Sequence, residues 1–434
     1  MKRVLPSILA ILAAAYAVHA QELPLKIKLS PNKNAHRNAP LIVPLSLPAD
    51  WAKFQEVEVD VITGRDVVKV VGQLTAPSIT TESMPPSKDS LTRRDLHVVM
   101  PDAPALELAV HFKKTEPQGT RFAWVDKKDE YQELILTRSG TTTPYLRYMN
   151  RPYDSSTPAA RDKSYKVFHH LYDPTGKRFI TNGGHTHEEI TDPKKLLYPH
   201  HRGIMYGFNK CTYGPDMKTQ ADTWHCPPKG NLAAHVSHEK TLSTETGPIL
   251  GRHRVQIGWF GAGEKPFAQE ERELTVYNTK GGTLVEFASR LKTTGGKIKV
   301  DGDPQHAGFQ FRAANDVAEK TKKFTYYLHP DGSKGEMGTE KNWPKNADMV
   351  DFPWYAMSFV VDNQRYSVVY LNHPNNPKET RFSERDYARF GGYFEREITE
   401  QMPLVVYYRL WLQPGEITKE QADALRAAFA ASSK

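Results

Sequence analysis

Short runs of alternating apolar and polar residues recur along most of the chain. Val57, Val59 and Val61 alternate with Glu56, Glu58 and Asp60, a period of two that predicts a strand with one buried face. Gly64 ends it, and Val67 to Val71 reads as its hairpin partner. Leu96 to Met100 and Leu106 to Phe112 continue the pattern. From Arg121 onward similar runs follow almost without a break, among them Leu134 to Thr137, Ile204 to Phe208, Leu284 to Leu291, Gly308 to Arg312 and Val368 to Leu371. Turn signals separate them: Asp173-Pro174-Thr175-Gly176, Lys280-Gly281-Gly282, Gly295-Gly296 and Asp331-Gly332.

This pattern predicts an all-β protein: a large antiparallel β-sandwich or supersandwich preceded by a small β-sandwich domain. The boundaries read from it are an N-terminal domain over 21–120 and a second over 121–434, with 21 to about 48 as an extended lead-in. One helix is expected, at the C-terminus. Thr418 and Gln421 have the spacing of a capping box, and Ala422, Leu425 and Phe429 mark one helical face.

The first twenty residues change the picture of compartment. Lys2 and Arg3 precede an apolar run from Leu5 to Val18, and Val18-His19-Ala20 offers small residues for cleavage, which reads as a signal peptide. About 14 apolar residues fall short of the roughly 20 that span a bilayer. The expectation is a periplasmic or secreted protein with no membrane span in the mature chain. Loss of Lys2 and Arg3 takes the formal charge from +8 to +6. Basic and acidic residues are interspersed, without the one-sided block of a nucleic-acid binder. The two cysteines, Cys211 and Cys226, are expected to form a disulfide in an oxidising compartment, worth about 3 kcal/mol in the chain-entropy model. The alternative gives Cys226, with His225, to a metal.

Candidate chemistry lies in the histidines. Nine of seventeen fall between 169 and 238. His185 and His187 share a face if extended, with Glu189 on the same side, a candidate set for a divalent metal. His200-His201-Arg202-Gly203 reads as a loop entering the strand Ile204 to Phe208. There an imidazole could move a proton while Arg202 holds developing negative charge. The bland alternative is a buried polar cluster that orders the loop. His306 precedes a run in which Gln310 and Arg312 share one face, and His373 ends another strand. No Gly-rich phosphate loop, Gly-x-Ser-x-Gly elbow or His-Glu-x-x-His motif occurs.

Pro199-His200-His201-Arg202-Gly203, His306 with Gly308 to Arg312, and Asn372-His373-Pro374 through Asn376-Pro377 together resemble a bacterial family labelled PmoA-like. Leu146-Arg147-Tyr148 and Leu171 to Gly176 fit it too, over roughly residues 125 to 415; Tyr198 stands where many members have histidine. The resemblance implies an exported, mainly β domain that often accompanies polysaccharide breakdown. It does not carry over methane oxidation, because the chain lacks spanning segments beyond its export signal. The resulting expectation is an enzyme acting on a carbohydrate or other polyhydroxylated substrate. His200, His201, Arg202, His306 and His373 are its candidate catalytic residues, and Arg147, Gln310, Arg312, Asn372 and Asn376 its candidate substrate contacts. The rivals are a metal-dependent oxygenase or hydrolase and a non-catalytic glycan-binding protein.

Overall fold

The computed structural model describes residues 24–29, 38–82, 90–102, 105–113, 119–182, 198–336 and 340–431. The expected signal peptide and the candidate metal set His185, His187 and Glu189 lie outside the described residues. Four sheets appear among the described residues, and their named strand pairs are antiparallel. The all-β architecture expected from the alternation is the one observed.

Alternation places one face of each strand in a core. In the N-terminal part six strands form a single sheet, in the order Leu25–Lys28, Glu107–His111, Glu56–Thr63, Asp66–Thr75, Thr92–Val99 and Pro40–Leu47. Val57, Val59, Val61, Leu96 and Val110 are all fully buried in its core. The lead-in expected over 21 to about 48 therefore contains two strands. Pro40 and Pro44 do not prevent this, because Pro40–Leu47 is an edge strand, where a missing N–H need not break a ladder.

The second part is two large sheets packed face to face. Eight strands run from Arg381–Arg385 through Arg389–Tyr393, Ala307–Arg312, Ile204–Phe208, Phe168–Leu171, Thr141–Met149 and Tyr131–Arg138 to Thr120–Lys127. Nine strands, from His235–Glu245 to Lys334–Glu336, oppose them. Phe208, Phe309 and Phe311 from the first sheet meet Trp259, Phe287 and Tyr408 from the second in one apolar core. A four-stranded sheet, Thr219–Ala221, Lys210–Gly214, Lys297–Asp301 and Arg396–Ile398, lies beside them.

The outer face of the nine-stranded sheet is also covered. Trp354, Val369, Leu371 and Trp411 pack with Ala422 and Phe429 of the C-terminal helix Lys419–Ala431, and Val71 and Val99 of the N-terminal sheet pack against the same cluster. The helix thus covers a sheet face rather than a sheet edge. Its capping box is reciprocal: the Gln421 N–H donates to Thr418 Oγ1 at 3.2 Å, and the Thr418 N–H to Gln421 Oε1 at 2.9 Å. Gln73 joins the N-terminal sheet to the larger body, its Oε1 accepting the N–H of Ile249 at 3.1 Å and of Leu250 at 3.0 Å.

No disulfide forms between Cys211 and Cys226. Both are free, buried thiols. Cys211 is held in register opposite Ala221, and Cys226 turns its Sγ to the Thr223 carbonyl at 3.4 Å. Burial pushes their thiols up, to about 12 and about 11. The even count and the expected oxidising compartment point to a bridge; the strand pairing and the turn at 222–226 instead set Cys211 Sγ against the Phe208 carbonyl and Cys226 Sγ against that of Thr223.

Candidate active site

The loop before Ile204–Phe208 is fixed by backbone chemistry. Gly203 adopts a φ of +52°, and a Cβ there would lie 2.2 Å from the His169 carbonyl oxygen. Only glycine meets both conditions. Its carbonyl accepts the N–H of Arg312 at 2.9 Å, and Asn182 Nδ2 donates to the His201 carbonyl at 2.8 Å. The loop is thereby pinned to the central strand Ala307–Arg312.

Two further turns bring histidines to this loop, and both are built alike. In Asp222-Thr223-Trp224-His225, Asp222 Oδ1 accepts the N–H groups of Trp224 at 2.9 Å and His225 at 2.7 Å. Its other oxygen lies 2.7 Å from His225 Nδ1. In Asp303-Pro304-Gln305-His306, Asp303 Oδ1 accepts the Gln305 N–H at 2.8 Å and lies 3.0 Å from His306 Nδ1. Both turns attach to the end of Ile204–Phe208: Thr223 N–H donates to the Phe208 carbonyl, and Asn209 N–H to that of His306, each at 3.0 Å. Because Phe208 pairs with Ala307 at this end while His200 and His201 precede the other, the loop must fold back along the strand to meet them.

The result is a cluster of four imidazoles. Ring centroids of His200 and His201 are 4.3 Å apart, and those of His225 and His306 are 4.4 Å apart. His200 is 4.7 Å from His225, and His201 is 5.4 Å from His306. One ring nitrogen from each of His200, His201 and His306 lies within 4.8 Å of the other two. His201 and Trp224 are fully buried, whereas the side chains of His225 and His306 are 34% and 20% exposed, so those two stand toward solvent. Tyr387 contributes its hydroxyl at 3.2 Å from His201 Nε2, and the exposed Tyr198 packs on the Tyr387 ring at 4.1 Å.

Burial sets the electrostatics. Desolvation, then the nearby Lys166 charge, takes His200 down to about 2. Desolvation and the neighbouring His200 hold His201 well below the ordinary histidine range. Both rings are therefore neutral at pH 7. Burial alone would raise Asp303, but the hydrogen bond and charge of His306 outweigh it and hold the carboxyl below its usual range. Lys166, fully enclosed and brought down to about 8 by burial, donates to the His200 carbonyl at 3.1 Å and to the Trp224 carbonyl. It ties the loop to the 222–226 turn.

The remaining candidates divide. Arg202 turns from the cluster: its Nε donates to the Pro199 carbonyl at 2.9 Å, a second nitrogen pairs with Asp162 at 3.2 Å, and it lies over the Tyr165 ring. It braces the loop, and the guanidinium expected to hold charge is already engaged. Gln310 and Arg312 sit on a completely buried strand. Arg389 donates to Gln310 Oε1 at 2.6 Å and forms no ion pair among the described residues. Arg312 lies over Tyr387 at 4.8 Å; burial brings it down to about 10, so it stays charged. Both guanidiniums add positive charge beside His201.

His373 does not join the cluster. It packs against Tyr407 and Phe429 and lines a separate cavity of about 220 Å³ with Glu273, Thr81 and Glu286. Asn372 and Asn376 serve that strand end, Asn376 Nδ2 donating to the Tyr407 carbonyl at 2.7 Å and to Asn372 Oδ1 at 2.8 Å. Arg147 is paired with Glu133 at 2.7 Å and stacked over Tyr131 at 3.8 Å. Lys166, Asp222, Tyr387 and Arg389 were not singled out from sequence as site residues. For Asp222 a signal existed: Asp-x-x-His occurs at both 222–225 and 303–306.

No curated protein sequence matches the chain. Three solved structures are distantly similar. An α-mannosidase from Enterococcus faecalis V583 aligns with 94% of this chain at 8% identity and a TM-score of 0.37; the chain spans 46% of that protein. The Slr1438 protein from Synechocystis sp. PCC 6803 aligns with 69% of this chain and 97% of its own at 10% identity, TM-score 0.29. A galactose mutarotase related enzyme from Lactobacillus acidophilus aligns with 68% of this chain and 98% of its own at 8% identity, TM-score 0.24. Residues 136–427, which hold every histidine of the cluster, match the model described as "Family of unknown function (DUF6807)", and the chain belongs to that family.

Proposed function

We propose that the protein is an exported enzyme acting on a carbohydrate or other polyhydroxylated substrate at the four-histidine site. The observation that carries this reading is the pair of Asp–His dyads meeting two buried neutral imidazoles. A carboxylate on Nδ1 fixes the tautomer, leaves Nε2 as the working nitrogen, and stabilises the imidazolium formed when it takes a proton. His225 is the proton carrier because it is the more exposed of the two dyad histidines. Hydroxyl groups are substrates that such a base can deprotonate once they are held against it. The exposed Tyr198 ring gives a sugar face a surface beside the cluster. The resemblance of the 199–203 loop to PmoA-like proteins supports the carbohydrate assignment, and the sequence of residues 1–20 supports export.

The test is a screen of oligosaccharides by mass spectrometry with the full chain and with His225→Ala. Product formed by the wild type and lost in the variant is the expected result. Glycan binding with no product from either protein would replace the enzyme by a non-catalytic binding module.

A further inference from the structure

We propose that His200, His201 and His306 hold a divalent transition metal of the imidazole-binding class, such as zinc, on the floor of the site. The proposal rests on reading this cluster as the working site, but its evidence is the arrangement of nitrogen atoms. A ring nitrogen from each of the three lies within 4.8 Å of the others. Nitrogens at zinc–nitrogen distances of about 2.0–2.1 Å stand roughly 3.4 Å apart in a tetrahedron, so a bound ion would draw these nitrogens closer by up to about 1.4 Å.

The hydrogen bonding leaves the right atoms free. His200 Nε2 and His201 Nδ1 are buried with no partner, a costly state for ring nitrogens unless something occupies the space between them. His201 Nε2 faces the Tyr387 hydroxyl, which can accept its proton, so that Nδ1 is the nitrogen left to carry a lone pair. His306 has Nδ1 on Asp303, leaving Nε2 as its available nitrogen. A carboxylate behind a histidine is the usual outer support of a metal ligand. Lys166, Arg312 and Arg389 add positive charge around the cluster, and Asp222 and Asp303 offset it. Three nitrogen ligands leave a position open, as catalytic zinc sites do. His225 stands beside it, 4.7 Å from His200 between ring centroids, as proton carrier rather than ligand.

A second cluster on the N-terminal sheet, Glu58, Asp60 and His111, meets the same distance criterion but is engaged by Lys69 and Lys113. It provides the control. The full chain, stripped with chelator, is titrated with Zn²⁺ against a chromophoric competitor, and Co²⁺ spectra report coordination. One equivalent per chain is expected. His306→Ala should weaken binding by on the order of 100-fold or more, and Asp303→Asn, which keeps every ligand, by about 10–100-fold. His111→Ala should leave affinity unchanged. Absence of tight binding, or binding that persists in a folded His200→Ala/His201→Ala/His306→Ala protein, overturns the proposal. Turnover of a glycan by a chain that binds no metal ends this inference and spares the enzymatic reading. Metal held by these three residues, with no turnover of any glycan, does the reverse.

Discussion

Asp222 holds His225 twice, accepting the backbone N–H with one carboxylate oxygen and facing Nδ1 with the other, each at 2.7 Å. The double contact fixes both the position of the residue and the tautomer of its ring. Asp303 repeats the device on His306, using its hydrogen bond to the Gln305 N–H to set the turn. A carboxylate that shapes the turn and orients the ring can be separated experimentally into those two roles.

Asp222→Asn keeps an oxygen for the backbone but presents a neutral side chain to Nδ1. It should fold like the wild type and lose turnover by about 10²- to 10⁴-fold, the usual range for disabling a positioned proton carrier. The pH–rate profile, measured on a glycan turned over by the wild type, should shift as well. Full activity with an unchanged profile would remove the dyad from the mechanism.

Gly203→Ala places a Cβ 2.2 Å from the His169 carbonyl oxygen at a positive φ. The cost should be on the order of 3 kcal/mol. Urea unfolding measures it, and Gly230→Ala serves as comparison, since its φ is also positive but nothing lies within 4 Å. Equal effects at the two glycines would show that the loop is not pinned as described.

Stability should fall in mild acid because of buried histidines held neutral, His200 and His201 in the cluster and a further pair in the core. His169 Nε2 and His253 Nε2 face each other at 3.2 Å in the core, with Arg272 adding positive charge beside both and His238 beside His253. Burial holds His253 down to about 3 and His169 well below its ordinary value. Both lie under the unfolded value of about 6.5, so the unfolded chain binds more protons from pH 6.5 downward, and stability present above that pH is lost as pH falls toward 3. The slope is roughly 1.4 kcal/mol per pH unit for each histidine in that window. Urea midpoints at pH 7 and pH 5 test this, and His253→Gln should make the dependence shallower by one histidine's share.

Cys211 and Cys226 should behave as thiols. A thiol reagent should find two per chain in denaturant without reductant and almost none in the native protein, where both are buried and pushed up in pKa. Absence of reactive thiol after denaturation would reinstate the bridge.

The alternation of Val57, Val59 and Val61, and of the longer strands after Arg121, made the sheets legible, because burial of one face imposes a period of two. Pro40–Leu47 was obscured because prolines tolerated on an edge look like turn signals. His306 and His201 could be named individually, but their meeting depends on the loop folding back along its strand, which no local pattern encodes. His373 ends a strand of the other large sheet, and a strand end alone does not reveal which cavity it faces. The cysteine spacing carried no information about side-chain direction. The repeated Asp-x-x-His was visible; its chemical meaning came from the turn that brings Asp onto Nδ1.

The most direct test compares product formation by the wild type, His225→Ala and His373→Ala on any glycan the wild type converts. The account predicts at least about a 100-fold loss for His225→Ala and near wild-type turnover for His373→Ala. Retained activity in His225→Ala, with loss in His373→Ala, would move the chemistry to the other cavity and contradict it.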